Sequence, residues 1–247
     1  MVFFCFSSKD RQSIVESILF HLTNYGIPVW YDRHKMLMGD KRNYKNFVEG
    51  VGYSKYAIVI LSPNSIANGC CAREEIMLIE EKYKSGDMTV FPIFFNLKAT
   101  DIPQEFLWMK DLVYKELVIS SDSLSTCNHI ICKILLDELS KYRIKSVNDF
   151  LFCKNGSSSH MYLKSIMYAY TSISDENRDA QISLLYAGYL YIKTHFGIKE
   201  LPEFYYKGAE RLFGETRLHL PIDLRESLIM ERIFLLLINT AVFGYII

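Results

Sequence analysis

The sequence predicts an α/β domain, a parallel sheet with helices on both faces, followed by an all-helical region. Three observations carry this. Strand-like and helix-like segments alternate four times through the first half with short connections, the order of a parallel sheet. Tyr56–Leu61 (YAIVIL) is continuously apolar and rich in β-branched residues, as in a strand covered on both faces. After about Asp122 the alternation stops and only helical spacing remains.

Each element follows in order. Residues 2–6 are an apolar run closed by Ser7, Ser8, Lys9 and Asp10, a buried strand ending in a polar loop. Ile14, Ile18, Leu19, Leu22 and Tyr25 recur at helical spacing, and Gly26 supplies a stop. Residues 27–31 (IPVWY) are a second strand, and a polar loop with Gly39 and Asp40 follows it. The next helix carries Tyr44, Phe47, Val48 and Val51. Residues 56–61 are the third strand, broken by Ser62, Pro63, Asn64 and Ser65. A helix over about 72–83 ends at Ser85, Gly86 and Asp87; residues 89–95 make a fourth strand and 111–118 hold a fifth. Ligands of such sheets sit at the carboxyl ends of the strands, here residues 6–10, 31–40, 62–65 and 96–101. Beyond them, 128–142 is an amphipathic helix and 155–159 (NGSSS) a loop. Further helical patterns cover roughly 161–171, 178–195, 202–213 and 224–245. The expected domains are 1–125 and 126–247.

Half of the 247 residues are hydrophobic, enough for a core without staples. Twenty-eight basic residues balance 28 acidic ones, so no global field draws the chain to nucleic acid or anionic membrane. The N-terminus MVFFCFSSKD lacks a basic leader region and turns polar after six residues, so no signal peptide is expected. Cys5, Cys70, Cys71, Cys127, Cys132 and Cys153 are expected to be free thiols in a reducing cytoplasm. Cys127, His129 and Cys132 have no second ligand pair at zinc spacing, so no metal is expected. The apolar C-terminal stretch is interrupted by Glu231 and Arg232, then by Asn239 and Thr240. What remains is short for a bilayer span, and the expectation is a buried helix with no membrane partner.

Five motifs stand in order across the first 120 residues: VFFCFSSKD at 2–10, GIPVWYD at 26–32 with Gly39-Asp40 after it, SKYAIVILSP at 54–63, and VFPIFF at 90–95 followed by Asp101-Ile102-Pro103. Between the last two lies a further motif, Cys71-Ala72-Arg73-Glu74-Glu75-Ile76. Together they resemble the TIR (Toll/interleukin-1 receptor) family, and most of all its NAD-cleaving members from prokaryotic antiviral defence. The resemblance implies a flavodoxin-like fold. Enzymatic TIR domains carry a Trp, three residues, then a catalytic Glu and an aliphatic residue at the start of the helix after the third strand. In that frame Glu75 takes the catalytic position and Ile76 the aliphatic one, while Cys71 stands where the Trp is usual. Phe6 and Ser7 are implied to line the pocket, with Cys71, and Asp32, Gly39 and Asp40 to shape its wall from the BB loop.

The residues bear on this register by themselves. Ala72, Ile76, Ile79 and Tyr83 share one face of their helix and are expected to pack on the sheet. Glu75 lies about 70° off that stripe, at the border of a cleft, whereas Glu74 points to solvent. Gly39 is also explained as a turn residue needing positive φ, and Asp10 as an N-cap of the first helix rather than a ligand contact. Cys70 and Cys71 have no histidine near them in sequence to serve as a base for nucleophilic catalysis.

A carboxylate suits the implied reaction. Cleaving the nicotinamide–ribose bond of NAD+ builds positive charge on the ribose, an oxocarbenium-like state, which a carboxylate stabilises. Nicotinamide leaves neutral, so no general acid is required; NAD+ is substrate, and no further cofactor is expected. Water as acceptor gives ADP-ribose, and an internal nucleophile gives a cyclic product. The resemblance further implies self-association through the TIR domain and an effector or sensor partner. Two other functions remain open: a non-catalytic TIR scaffold, to which the missing Trp points, and a nucleotide-binding receiver without turnover, which lacks a phosphate-cradling glycine-rich loop.

Overall fold

The computed structural model describes residues 1–67, 69–118, 123–153, 158–196, 203–218 and 220–243. They fall into two compact units, 1–130 and 131–247.

The first unit is a five-stranded, wholly parallel sheet. Its strands are β1 (Val2–Cys5), β2 (Val29–Trp30), β3 (Tyr56–Leu61), β4 (Thr89–Phe95) and β5 (Lys115–Leu117), in the order β2-β1-β3-β4-β5. This is the flavodoxin-like order. β3 is buried along its whole length between β1 and β4, as its unbroken apolar run requires. Pro92 sits in β4 next to Val59, one residue before β4 begins to pair with β5. A strand with a neighbour on one side only tolerates the missing N–H.

Helices α1 (Glu16–Asn24), α2 (Asp32–Lys35) and α3 (Ala72–Lys84) connect the strands, with a π-helix at Tyr44–Val51 between α2 and β3. The stripe Ile14, Ile18, Leu19, Leu22 and Tyr25 is buried as its spacing predicts. The π-helix departs from a simple amphipathic reading: Tyr44 and Val48 are exposed, and its buried face is Asn46, Gly50 and Val51. A π-helix has more residues per turn than an α-helix, so apolar spacing read at 3.6 falls out of phase. Gly50 is required for a different reason. A Cβ there would lie 2.6 Å from Phe3 Cε2 and 2.9 Å from Trp30 Nε1, so glycine lets the indole pack against this helix. The Lys82 ammonium of α3 donates to the carbonyls of Val51 (3.0 Å), Gly52 (2.7 Å) and Ser54 (3.2 Å). A cation on these orphan carbonyls ties the end of the π-helix to α3.

Asp10 does not cap a helix. Its buried carboxylate accepts from Ser62 Oγ and from Asn64 Nδ2 (2.6 Å), joining the loop after β1 to the loop after β3. Ser7 takes the capping role, its Oγ accepting from the Lys9 N–H.

Helix α4 (Ser123–Leu139) starts in the first unit and ends in the second, and Cys127 within it is buried with its thiol toward the Ile18 carbonyl. The second unit continues with α5 (Val147–Leu151), α6 (Ser158–Ser172), α7 (Arg178–His195), α8 (Glu203–Arg217) and α9 (Leu224–Phe243). The five-residue α5 is too short for periodicity to reveal; a capping box between Ser146 and Asp149 marks its start. Ile229, Met230, Ile233, Phe234 and Leu237 make α9 a core helix. Among the described residues no helix is long and apolar enough to cross a membrane. The loop expected at residues 155–157, residue 202 and the end of the last helical pattern after 243 lie outside the described residues.

Candidate active site

A cavity of about 460 Å³ opens at the carboxyl ends of β1, β2 and β3. The strand order reverses there, with β1 between the two later strands, which is where open α/β sheets take ligands. Five of the residues singled out in the sequence come together on its lining: Phe6, Ser7, Asp32, Cys71 and Glu75. Gly39 and Asp40 are exposed and not part of the lining. The cavity also takes in Phe4, Trp30, Arg42 and Asn46, none of which stood out in sequence.

Glu75 belongs to the first turn of α3, whose Ala72, Ile76 and Ile79 are buried in the core under the sheet. That stripe fixes the backbone and turns the neighbouring Glu75 inward. Its side chain is 5% exposed, whereas Glu74 is exposed. Glu75 Oε1 accepts a 2.8 Å hydrogen bond from Asn46 Nδ2, and Asn46 Oδ1 accepts in turn from Trp30 Nε1 at 3.4 Å. Burial pushes the Glu75 carboxyl up to about 7, against the opposing pull of the Cys5 thiol, the Asn46 amide and the charge of Arg42. The Cys5 thiol, fully buried beneath it, donates to the Ala72 carbonyl at 3.5 Å and is itself pushed well up by burial and by Glu75.

A second charged group forms the wall beside β2. Arg11 makes a two-pronged pair with Asp32, Nη1 to Oδ1 at 2.7 Å and Nη2 to Oδ2 at 2.6 Å. Its guanidinium lies over the rings of Phe6 (4.9 Å) and Tyr31 (5.1 Å), which are themselves stacked. Burial, the largest single influence, raises the Asp32 carboxyl, but the bond and charge of Arg11 together with the Arg33 N–H and charge hold it below the ordinary carboxylate value. Asp32 is therefore a fixed anion, and Glu75 is the carboxyl of this cavity that titrates near neutrality.

The family model described as a TIR domain matches residues 2–129, about half of the chain. The chain belongs to the TIR family. Its similar proteins include NAD(+) hydrolase TcpC of Escherichia coli O6:H1, 25% identical over 109 residues (44% of this chain, 35% of that protein). Another is the 2' cyclic ADP-D-ribose synthase BtTIR of Bacteroides thetaiotaomicron, 28% identical over 108 residues (40% of this chain, 34% of that protein). A third, the 2' cyclic ADP-D-ribose synthase AbTIR of Acinetobacter baumannii, is 27% identical over 101 residues (41% of this chain, 37% of that protein). The matches thus span about a third of the length of these relatives. No solved structure matches the chain.

In this TIR domain the BB loop closes on itself. Gly39 has φ +100, a conformation open to glycine, and a Cβ there would meet nothing within 4 Å, so backbone and not space dictates the residue. Asp40 folds back, its Oδ2 accepting from the Leu37 N–H at 2.8 Å while its own N–H donates to the Leu37 carbonyl. The turn holds Leu37 and Met38 out in solvent. Cys71 lines the cavity where the TIR frame has a Trp, and the indole in this cavity comes instead from Trp30 of β2. Among the described residues no cluster of three or more His, Cys, Asp or Glu can hold a metal ion.

Proposed function

We propose that the chain is a TIR-type NAD+ nucleosidase that cleaves the nicotinamide–ribose bond. The observation that carries this reading is the Glu75 carboxyl, buried at the cavity wall and held by a neutral amide. The C–N bond breaks with its electron pair going to nicotinamide, which leaves neutral. The ribose carbon is left oxocarbenium-like, and the Glu75 carboxylate faces the positive charge in a low-dielectric site. Water then adds and loses a proton to give ADP-ribose; an intramolecular nucleophile at the same carbon gives a cyclic product. Phe6 and Trp30 offer apolar surface for the nicotinamide half, and Lys9 and Arg42 on the same lining offer positive charge for the diphosphate.

The test is nicotinamide release from NAD+ by the purified chain, followed by chromatography, with the second product identified in the same runs. Glu75→Gln is expected to lower kcat by about a thousandfold, the order for losing one preorganised electrostatic group, and Glu74→Gln to leave it near wild type. Loss with Glu74→Gln and not with Glu75→Gln would overturn the assignment. On this reading the reaction serves antiviral defence, and wild type but not Glu75→Gln should reduce phage plaques in a bacterial host.

A second reading is a non-catalytic scaffold, favoured by the exposed Leu37 and Met38 at the BB-loop turn. It predicts no nicotinamide release under any condition, together with self-association that Met38→Asp abolishes.

A further inference from the structure

Glu75 does not stand alone in the cavity wall. Asn46 is buried on the inward face of the π-helix, 29 residues earlier in the chain, with its amide nitrogen 2.8 Å from Glu75 Oε1. The other end of the amide is also taken, by Trp30 Nε1 at 3.4 Å. An indole nitrogen only donates. Its partner on Asn46 must therefore be the carbonyl oxygen, and the NH₂ is left facing Glu75. The direction of the amide is set by chemistry rather than chosen. The indole in turn has its place only because position 50 lacks a side chain, and Lys82 fastens the end of the π-helix to the helix that bears Glu75.

We propose that Asn46 is the positioning residue of this site: pinned by Trp30, it aims its amide N–H at Glu75, favours the ionised form of that carboxylate and turns it to the cavity. This rests on the reading of Glu75 as the carboxylate that faces the ribose. A neutral amide is the fitting partner for that task. A cation at 2.8 Å would neutralise the charge that the oxocarbenium-like ribose needs, as Arg11 does to Asp32. An amide donor stabilises the anion and leaves its full charge for the reaction. The ionisable groups that face Glu75 are Cys5 from β1, Asp32 after β2 and Arg42 ahead of the π-helix. The Cys5 thiol aids ionisation before Asn46 does, Arg42 aids it from an exposed position, and Asp32 opposes it; Asn46 is the buried donor whose direction a further side chain, Trp30, fixes.

The experiment is a carbon-13 NMR titration of glutamate carboxyls in the full chain, with Glu75→Gln to assign the resonance. Asn46→Leu removes the amide at similar volume and should raise the Glu75 midpoint by about one unit or more, since a bond to a buried carboxylate is lost. Trp30→Phe keeps a ring but removes the donor, and should raise it by less. In nicotinamide release the acidic limb of the kcat profile should move upward by the same amounts, with the loss at pH 7 falling on kcat more than on KM for NAD+. A Glu75 midpoint unchanged in Asn46→Leu overturns the proposal. If that variant does not fold, an unchanged midpoint in Trp30→Phe does so. Should wild type release no nicotinamide at all, the functional reading falls, and the titration still decides whether Asn46 holds Glu75.

Discussion

At the scale of the residue, burying Glu75 at the cavity wall sets a cost on the fold. Its carboxyl is held near 7 in the fold, against an ordinary value of 4.5 that the unfolded chain restores. Below about pH 4.5 it is protonated in both states and costs nothing. As pH rises through this window the unfolded chain releases the proton and the fold retains it. Above 7 the fold carries a buried carboxylate, at a cost of about 3 kcal/mol. Glu75→Gln has no such cost, so it should be more stable than wild type by about 2–3 kcal/mol at pH 8 and equal to it near pH 4. Denaturant midpoints of both proteins at the two pH values check this. A gap of the same size at both pH values would mean that Glu75 does not titrate in this window. If Glu75→Gln also abolishes nicotinamide release, the change trades stability against activity, as functional groups held at a cost to the fold do. Glu75 was legible in sequence through the resemblance of residues 71–76 to the TIR frame, and the stripe of Ala72, Ile76 and Ile79 only favoured it over Glu74. Asn46 was not, because its partner is a carboxylate brought near only by the fold, and no spacing within its own helix announces that.

The strands and α3 were legible because their burial follows their own periodicity. β3 is buried at all six positions, and a continuous apolar run admits that arrangement. The helix before β3 was legible as a helix but not in its orientation, since π geometry and the small inward residues Asn46 and Gly50 put Tyr44 and Val48 outside. The inward face serves the core through Val51 but gives Asn46 to the cavity and Gly50 to close packing, so hydrophobic spacing finds only Val51. Gly50 makes that dependence testable. In Gly50→Ala the new methyl would meet the Phe3 ring and the Trp30 indole, both buried, at distances that force one to move. Alanine gains up to about 1 kcal/mol of helix propensity, but overpacking costs about 1–3 kcal/mol, so a net loss of about 1–2 kcal/mol is expected from chemical denaturation. Because the displaced indole releases Asn46, the Glu75 midpoint should rise as well. A stability loss with Glu75 unmoved would mean that the Phe3 ring gave way instead of the indole.

At the scale of the molecule, the chemistry and the helices are separate constructions. The described residues that line the cavity all fall between positions 4 and 75, and the core cluster between α3 and the sheet is built from side chains of the first unit. The helical unit has its own close packing, as at Gly188 of α7, where a Cβ would come within 2.3 Å of the buried Phe234 ring of α9. Sequence placed the boundary at 125/126, where alternation ends; the compact units meet at 130/131, because α4 continues across that transition. The distribution of tryptophan allows the two units to be followed apart. Both, Trp30 and Trp108, lie in the first unit, while the five helices α5–α9 lie in the second and weigh heavily in far-UV dichroism. Gly188→Val forces the Phe234 ring from its place and should destabilise the helical packing by about 3 kcal/mol. With the units unfolding independently, the dichroism midpoint should fall by roughly 10 °C while the tryptophan fluorescence midpoint and the Glu75 titration stay near wild type. Equal shifts in both signals would mean that the chain unfolds as one cooperative body, and that the helical unit supports the cavity's stability as well as its own.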